Sequence, residues 1–438
     1  MRLRPHNCLP WQTMSDVNIQ DGKGKIPLHL ANGYNRQGLI EALIDSSGIS
    51  CESSPYSCHI KRTYSNVNTQ DEDGNVPLFI MLGFNDPIVV NTLIKAGTPS
   101  CEALPHNCSP KGTITDINIK NNKGETLLGR AIKSNYVEAE IIKDLVDAGG
   151  DINMKDEEGN TYLIVAVKNN NVLMVNTLIM ANADVNLTDH YGNTPLLWAN
   201  NLEMVNILIK SGSTSCVGEP HNCSPKRTKT DVNVSNNGGE TALHRAARSN
   251  NIDIVETLIK VGGENKVYSS KNINGETPIM LAVNNDNTKM TKTLIKISAG
   301  ADIESSDKNG NTPLLLAVIN NNIEIADILI RDGVDVNVVN NDGYAPLHIA
   351  TEKNNIYIVE FLIRNNVDVN AVDANGNTPL LIAIINGNVD IFNALIKDGA
   401  DVNIINAMNG ETALDLAKTS TKRDHLKIVE ILERAGAT

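Results

Sequence analysis

The sequence predicts an all-α-dominated repeat solenoid, made of helix-turn-helix units joined by β-hairpin fingers, and three observations predict it. A register mark recurs at Pro27, Pro77, Leu127, Tyr162, Pro195, Ala242, Pro278, Pro313, Pro346, Pro379 and Ala413, with a base interval of 33 residues. Asn- and Asp-rich turns containing Gly recur ahead of the marks, and apolar residues at helical period follow them. One finger and two short helices have no core of their own, so each unit must stack on copies of itself.

The unit is clearest from Asp335 to Arg364. Asp335-Val336-Asn337 and the turn closing on Gly343 read as the finger, because Gly takes the positive-φ corner that branched residues avoid. Pro346 suits the first turn of a helix, where a missing N–H removes no bond. Leu347, Ile349 and Ala350 are expected to bury one side of that helix, and Ile358, Val359, Leu362 and Ile363 give the second helix its apolar face. Thr194, Thr312 and Thr378 stand just before their Pro marks and are expected as N-caps, each supplying about 1 kcal/mol.

The same period carries G-N-T-P-L-L at Gly192, Gly310 and Gly376, G-E-T-A-L-H at Gly239 and G-Y-A-P-L-H at Gly343. In these features the chain resembles the ankyrin repeat, in eleven copies from about Asp16 to the end. The resemblance implies an ankyrin array over residues 16–438 that acts as a non-catalytic protein-protein interaction scaffold. It also implies that His29, His244 and His348, which match the family's histidine, are structural. Elsewhere that place holds Phe79, Leu197, Leu315 or Leu381.

Composition narrows the function classes. The net charge of −13 argues against nucleic acid and anionic membranes as partners, since phosphate binding needs a basic footprint. Aromatic residues make up 3%, too few for single-strand stacking platforms. No apolar run approaches the roughly 18–20 residues of a membrane span, and Met1 to Met14 lacks the apolar centre of a signal peptide. The chain is therefore expected to be a monomer that binds another protein. It should be cytoplasmic, or secreted into a host cell without a readable signal peptide. The Asn residues stay in register with the repeat, and A/T-rich codon usage gives the same excess of Asn, Ile and Lys, which hints at a host-directed effector of an intracellular bacterium or virus. No nucleophile elbow, phosphate loop or H-E-x-x-H helix is present, so no catalytic residue, cofactor or metal is assigned.

Three junctions break the period. Pro27 to Pro77 and Pro77 to Leu127 span 50 residues each, against 33 for the base unit. Pro195 to Ala242 spans 47, with a first helix shortened by three residues, so it carries an insertion of the same size. The insertions predict long loops at about 49–65, 98–115 and 213–230. They read C-E-S-S-P-Y-S-C from Cys51, C-E-A-L-P-H-N-C from Cys101 and C-V-G-E-P-H-N-C from Cys216. Residues 1–15 repeat the tail of this pattern, with P-H-N-C ending at Cys8, and are expected to be a truncated insertion that leaves no dedicated N-terminal cap.

All seven cysteines lie in these segments. Cys101, His106 and Cys108, or Cys216, His221 and Cys223, are zinc-type ligands, but Tyr56 replaces the His in the first insertion and the gap is wider than in ordinary knuckles. A bridge across each C-x6-C is disfavoured in a reducing compartment. The simpler reading is an exposed loop with free thiols, since lengthening a connection by this much costs only about 1.5 kcal/mol of closure entropy. A metal- or redox-responsive adaptor acting through these loops is the alternative function.

Toward the C-terminus the seventh finger is two residues longer than the pattern, and the last repeat has three extra residues before Leu426. Lys427, Glu430, Glu433 and Arg434 give the final helix the polar outer side that a terminal cap requires. Two residues after each finger Asn stand Gln20, Gln70, Lys120, Lys155, Thr188, Ser235, Lys271, Ser306, Val339, Val372 and Ile405. Stacking aligns equivalent positions, so Val339, Val372 and Ile405 are expected to form an apolar partner-binding row. The competing reading is that β-branched residues simply suit a finger strand.

Overall fold

The structure, a computed structural model, describes residues 17–31, 36–45, 48–51, 60–63, 65–96, 116–133, 138–211, 230–262, 267–298, 303–406, 408, 410–422 and 424–437. Every register mark is the first residue of a helical segment, from the 3-10 turn Pro27–Leu30 to the helix Ala413–Thr419. The fold is the helix-rich repeat solenoid that the period predicts. The chain divides into two compact units, Met1–His190 with Asn206–Thr230 and Tyr191–Val205 with Asp231–Thr438.

Within the first unit, Pro77–Leu82, Leu127–Lys133 and Tyr162–Lys168 pack in series as first helices. The second helices Arg36–Asp45, Pro87–Ala96, Ala139–Asp147 and Val172–Met180 pack in a parallel series. Within the second unit the first helices run in series from Pro195–Trp198 through Pro346–Glu352 and Pro379–Asn386 to Ala413–Thr419.

This stacking buries the first helices more deeply than the apolar pattern predicts. Pro346–Glu352 is buried over six consecutive residues, Pro346 to Thr351, and not on one side only. It is enclosed by the first helices before and after it and by its own second helix. In the second helix Ile356–Arg364, burial is confined to the stripe Ile358, Val359 and Leu362. One core runs from Leu315 to Leu432, with Phe392 among its largest fully buried side chains. Each such apolar side chain contributes roughly 1.5–3 kcal/mol through removal from water.

The Asn-Asn pairs between the helices have a division of labour. Asn170, Asn321 and Asn354 take left-handed φ values of 52°, 59° and 55°, a region open to Asn at small cost. The following Asn171, Asn322 and Asn355 are N-caps whose side chains accept from Met174 N, Ile325 N and Ile358 N.

Thr312 and Thr378 cap as expected, accepting from Leu315 N and Leu381 N. Thr194 does not. Its helix, Pro195–Trp198, is only four residues long, and Leu197 N donates to the Thr194 carbonyl at 3.1 Å in place of the hydroxyl. Thr194 Oγ1 is buried without a hydrogen bond. The seventh finger contains a 3-10 turn, Val267–Ser269, and closes on Gly275 at φ 76°. The last helix, His425–Arg434, buries Ile428 and Leu432 and leaves Lys427, Glu430, Glu433 and Arg434 exposed.

Of the first insertion, β1 (Gly48–Cys51) and β2 (Ile60–Thr63) pair antiparallel, with Gly48 opposite Thr63 and Cys51 opposite Ile60. Residues 1–15 lie outside the described residues, as do Cys8, Cys58, Cys101, His106, Cys108, Cys216, His221 and Cys223. Among the described residues, no helix is long and apolar enough to cross a membrane.

Candidate functional site

The Asp and Asn side chains of the fingers hold backbone at two levels. Within a finger, Asp335 Oδ1 accepts from Asn337 N at 2.9 Å, and Asn340 Oδ1 accepts from Asp342 N at 3.1 Å and Tyr344 N at 3.0 Å. Between fingers, Asn337 Oδ1 accepts from Asp368 N and Asn370 Oδ1 from Asp401 N, both at 2.8 Å. The tips are linked by backbone, with Ala374 N donating to Asp342 O at 3.0 Å. Gly343, at φ 75°, permits that approach, since a Cβ there would lie 2.7 Å from Ala374 N.

On this frame Val339, Val372 and Ile405 are 53%, 52% and 59% exposed. Two of their polar counterparts reach along the stack instead. Gln70 Nε2 donates to Lys120 O at 3.0 Å, and Lys271 Nζ donates to Ser306 O at 2.7 Å. In both cases the acceptor is the equivalent residue of the next finger, so these positions run in a row within each unit. A Val side chain cannot donate and leaves its methyl groups facing solvent.

The three histidines lie behind the fingers. His29, His244 and His348 are buried, and their Nδ1 atoms accept from Ile26 N, Thr241 N and Ala345 N at 3.1, 3.2 and 3.1 Å. That fixes the proton on Nε2, which donates to Asn75 O, Glu276 O and Asn377 O of the following finger at 3.0, 3.1 and 3.2 Å. Burial pulls all three below the ordinary histidine range, partly opposed by the bond to the carbonyl. Both ring nitrogens are occupied, so these groups fasten fingers to helices.

Three arrangements escape a reading of single repeats. Side-chain seams join Asn406 Nδ2 to Asn377 Oδ1 at 2.8 Å and Asn388 Nδ2 to Asn354 Oδ1 at 3.2 Å. Arg245 reaches back to the shortened helix, donating to Leu197 O at 2.9 Å and Asn193 Oδ1 at 2.8 Å, with its guanidinium 4.9 Å from the Trp198 ring centroid. Tyr162, at a Pro mark, bonds Thr126 Oγ1 and lies over Gly129, where a Cβ would meet the phenol at 3.1 Å. The Asn seams recur at equivalent positions, as in Asn355 to Asn321 and Asn340 to Asn311, whereas Tyr162 over Gly129 is signalled only by a paired departure from the repeat pattern in neighbouring units.

A family model described as ankyrin repeats (3 copies) matches residues 85–189, 138–217, 182–269, 201–307, 261–340, 284–373 and 347–437. No curated protein is found to match the chain. Among solved structures, the chain is similar to the ankyrin repeat domain of Bcl-3, a member of the IkappaB protein family. The identity is 22% and the TM-score 0.45, over 63% of this chain and 100% of that one. It is also similar to an ankyrin repeat domain from Acinetobacter baumannii AYE, at 30% identity and a TM-score of 0.40, over 45% of this chain and 98% of that one.

Proposed function

The chain belongs to the ankyrin-repeat family, and from that premise we propose that it is a non-catalytic protein-interaction scaffold whose contact row is Val339, Val372 and Ile405. Stacked repeats form extended surfaces to which several units contribute at once. The observation that carries the reading is that three consecutive fingers expose an apolar side chain at a position where Gln70 and Lys271 are engaged with the next finger. Apolar side chains of this kind form the centre of protein interfaces. The partner is another protein, bound by a monomeric chain. A host-directed role has the Asn- and Ile-rich composition as its support, and many of those Asn residues are engaged in caps and seams.

The test compares proteins retained from a cell extract by the immobilised chain and by the Val339→Ser, Val372→Ser, Ile405→Ser variant, after circular dichroism has shown the same fold. A protein held by the parent, and by a Gln20→Ser, Gln70→Ser, Lys120→Ser control, is expected to be lost from the apolar-row variant. Identical retention by all three would remove the row from the account.

A further inference from the structure

The surroundings of the row carry chemistry of their own. The segments 335–345, 368–378 and 401–412 contain Asp335, Asp342, Asp368, Asp373, Asp401 and Glu411, and no Lys or Arg. Asp335, Asp342, Asp368 and Asp401 are exposed. An apolar row beside the exposed carboxylates of Asp335, Asp342, Asp368 and Asp401 favours an occupant that brings apolar side chains and positive charge together.

The spacing of the row limits the conformation of that occupant. Packed helices lie about 8–10 Å apart, and this distance sets the step from one finger to the next. A single Gln side chain spans it, as Gln70 reaching Lys120 O shows. A β-strand repeats its side chains on one face every ~6.7 Å and falls out of step. A polyproline II segment, with three residues per turn and a rise of about 3.1 Å, repeats every ~9.3 Å and stays in step. An α-helix with an apolar residue every seventh position, about 10.5 Å, also stays in step.

Hydrogen bonding separates those two. Where the row is polar, the carbonyls of Lys120 and Ser306 accept from the preceding finger's side chain. Val339 and Val372 cannot make that donation, so the carbonyls of Val372 and Ile405 receive no side-chain donor from the preceding finger. A polyproline II backbone has no internal hydrogen bonds and its N–H groups are available to such acceptors. An α-helix has already used its own.

Resting on the row as the contact surface, we propose that its occupant is an extended, polyproline II-like segment of a partner protein, with an apolar side chain at every third position and Lys or Arg between. Its apolar residues sit on Val339, Val372 and Ile405, its cations face the finger carboxylates, and its backbone N–H groups face the finger carbonyls.

The experiment titrates the full chain into labelled peptides and reads fluorescence anisotropy. The probes are a Pro-Arg-Val repeat, a Pro-Glu-Val repeat, an alternating Arg-Val strand peptide and a basic helical peptide with Val at every seventh position. The Pro-Arg-Val peptide is expected to bind about tenfold or more tightly than the others, to weaken as salt rises, and to lose about tenfold in affinity for the charge-neutral triple Ser variant. Equal binding of all four peptides, or a preference that survives in the triple variant, would overturn the proposal. If only the helical peptide binds, and the triple variant loses it, the row stands and the extended occupant is wrong. If no peptide distinguishes parent from variant, both the occupant and the row fall.

Discussion

The imidazole of His348 donates through Nε2 to the carbonyl oxygen of Asn377, 3.2 Å away in the next finger, while its Nδ1 accepts from Ala345 N. That arrangement requires the neutral ring. Protonation would place a hydrogen on Nδ1 against an N–H and add a charge at a buried site. His29 and His244 make the same pair of bonds.

The pH dependence of stability follows from the lowered histidine pKa values. The unfolded chain takes up these protons near the ordinary value of about 6.5, whereas the folded chain resists them until lower pH. The stabilising contribution is therefore fully present above that value and is lost as pH falls through and below it. Urea midpoints are expected to drop between about pH 7.5 and 5.5, a window above the ordinary carboxylate range. His348→Leu, which places the residue found at Leu315 and Leu381, is expected to cost about 1 kcal/mol at neutral pH and to reduce the drop. A pH-independent midpoint would contradict the neutral-ring assignment.

Arg245 is expected to secure the shortened helix Pro195–Trp198. Its guanidinium covers the Leu197 carbonyl, one of the C-terminal acceptors that a four-residue helix leaves open, and lies against Trp198. Arg245→Met is expected to destabilise by about 1–3 kcal/mol, and Arg245→Lys to recover only part of it because the planar fork is lost. Hydrogen exchange at residues 195–205 is the readout. Unchanged exchange in Arg245→Met would show that the short helix holds without it.

Gly129 and Tyr162 are expected to be energetically coupled. Tyr162 replaces the usual Pro and fills the space above Gly129, bonded to Thr126. Gly129→Leu alone is expected to cost about 1–3 kcal/mol through overpacking. In Gly129→Leu with Tyr162→Pro, which restores the repeat pattern at both places, that cost should shrink. A double-mutant cycle with a coupling near zero would contradict the pairing.

What the sequence makes legible, and what it hides, divides along the repeat. Pro346, Gly343 and the Ile358–Val359–Leu362 stripe are local signals, and each recurs often enough to fix the register and the fold. The exposure of Val339, Val372 and Ile405 follows from their place on the finger. Contacts between units are harder to read, because Asn388 to Asn354 or Arg245 to Leu197 joins residues that no local pattern couples. Thr194 shows the same limit from the other side: its sequence context matches Thr312, yet Leu197 N bonds its carbonyl and its hydroxyl is left without a hydrogen bond.

The C-terminal fingers are proposed to hold a partner through Val339, Val372 and Ile405. The most direct measurement is hydrogen exchange of the chain with and without a protein it retains. New protection is predicted at amides of 337–342, 370–375 and 403–406. It should disappear in the triple Ser variant, whose own stability should change by only about 0.5 kcal/mol per site, while binding weakens by about 2 kcal/mol or more. Protection confined to the second helices or to the N-terminal fingers, with none at these three segments, would contradict the claim.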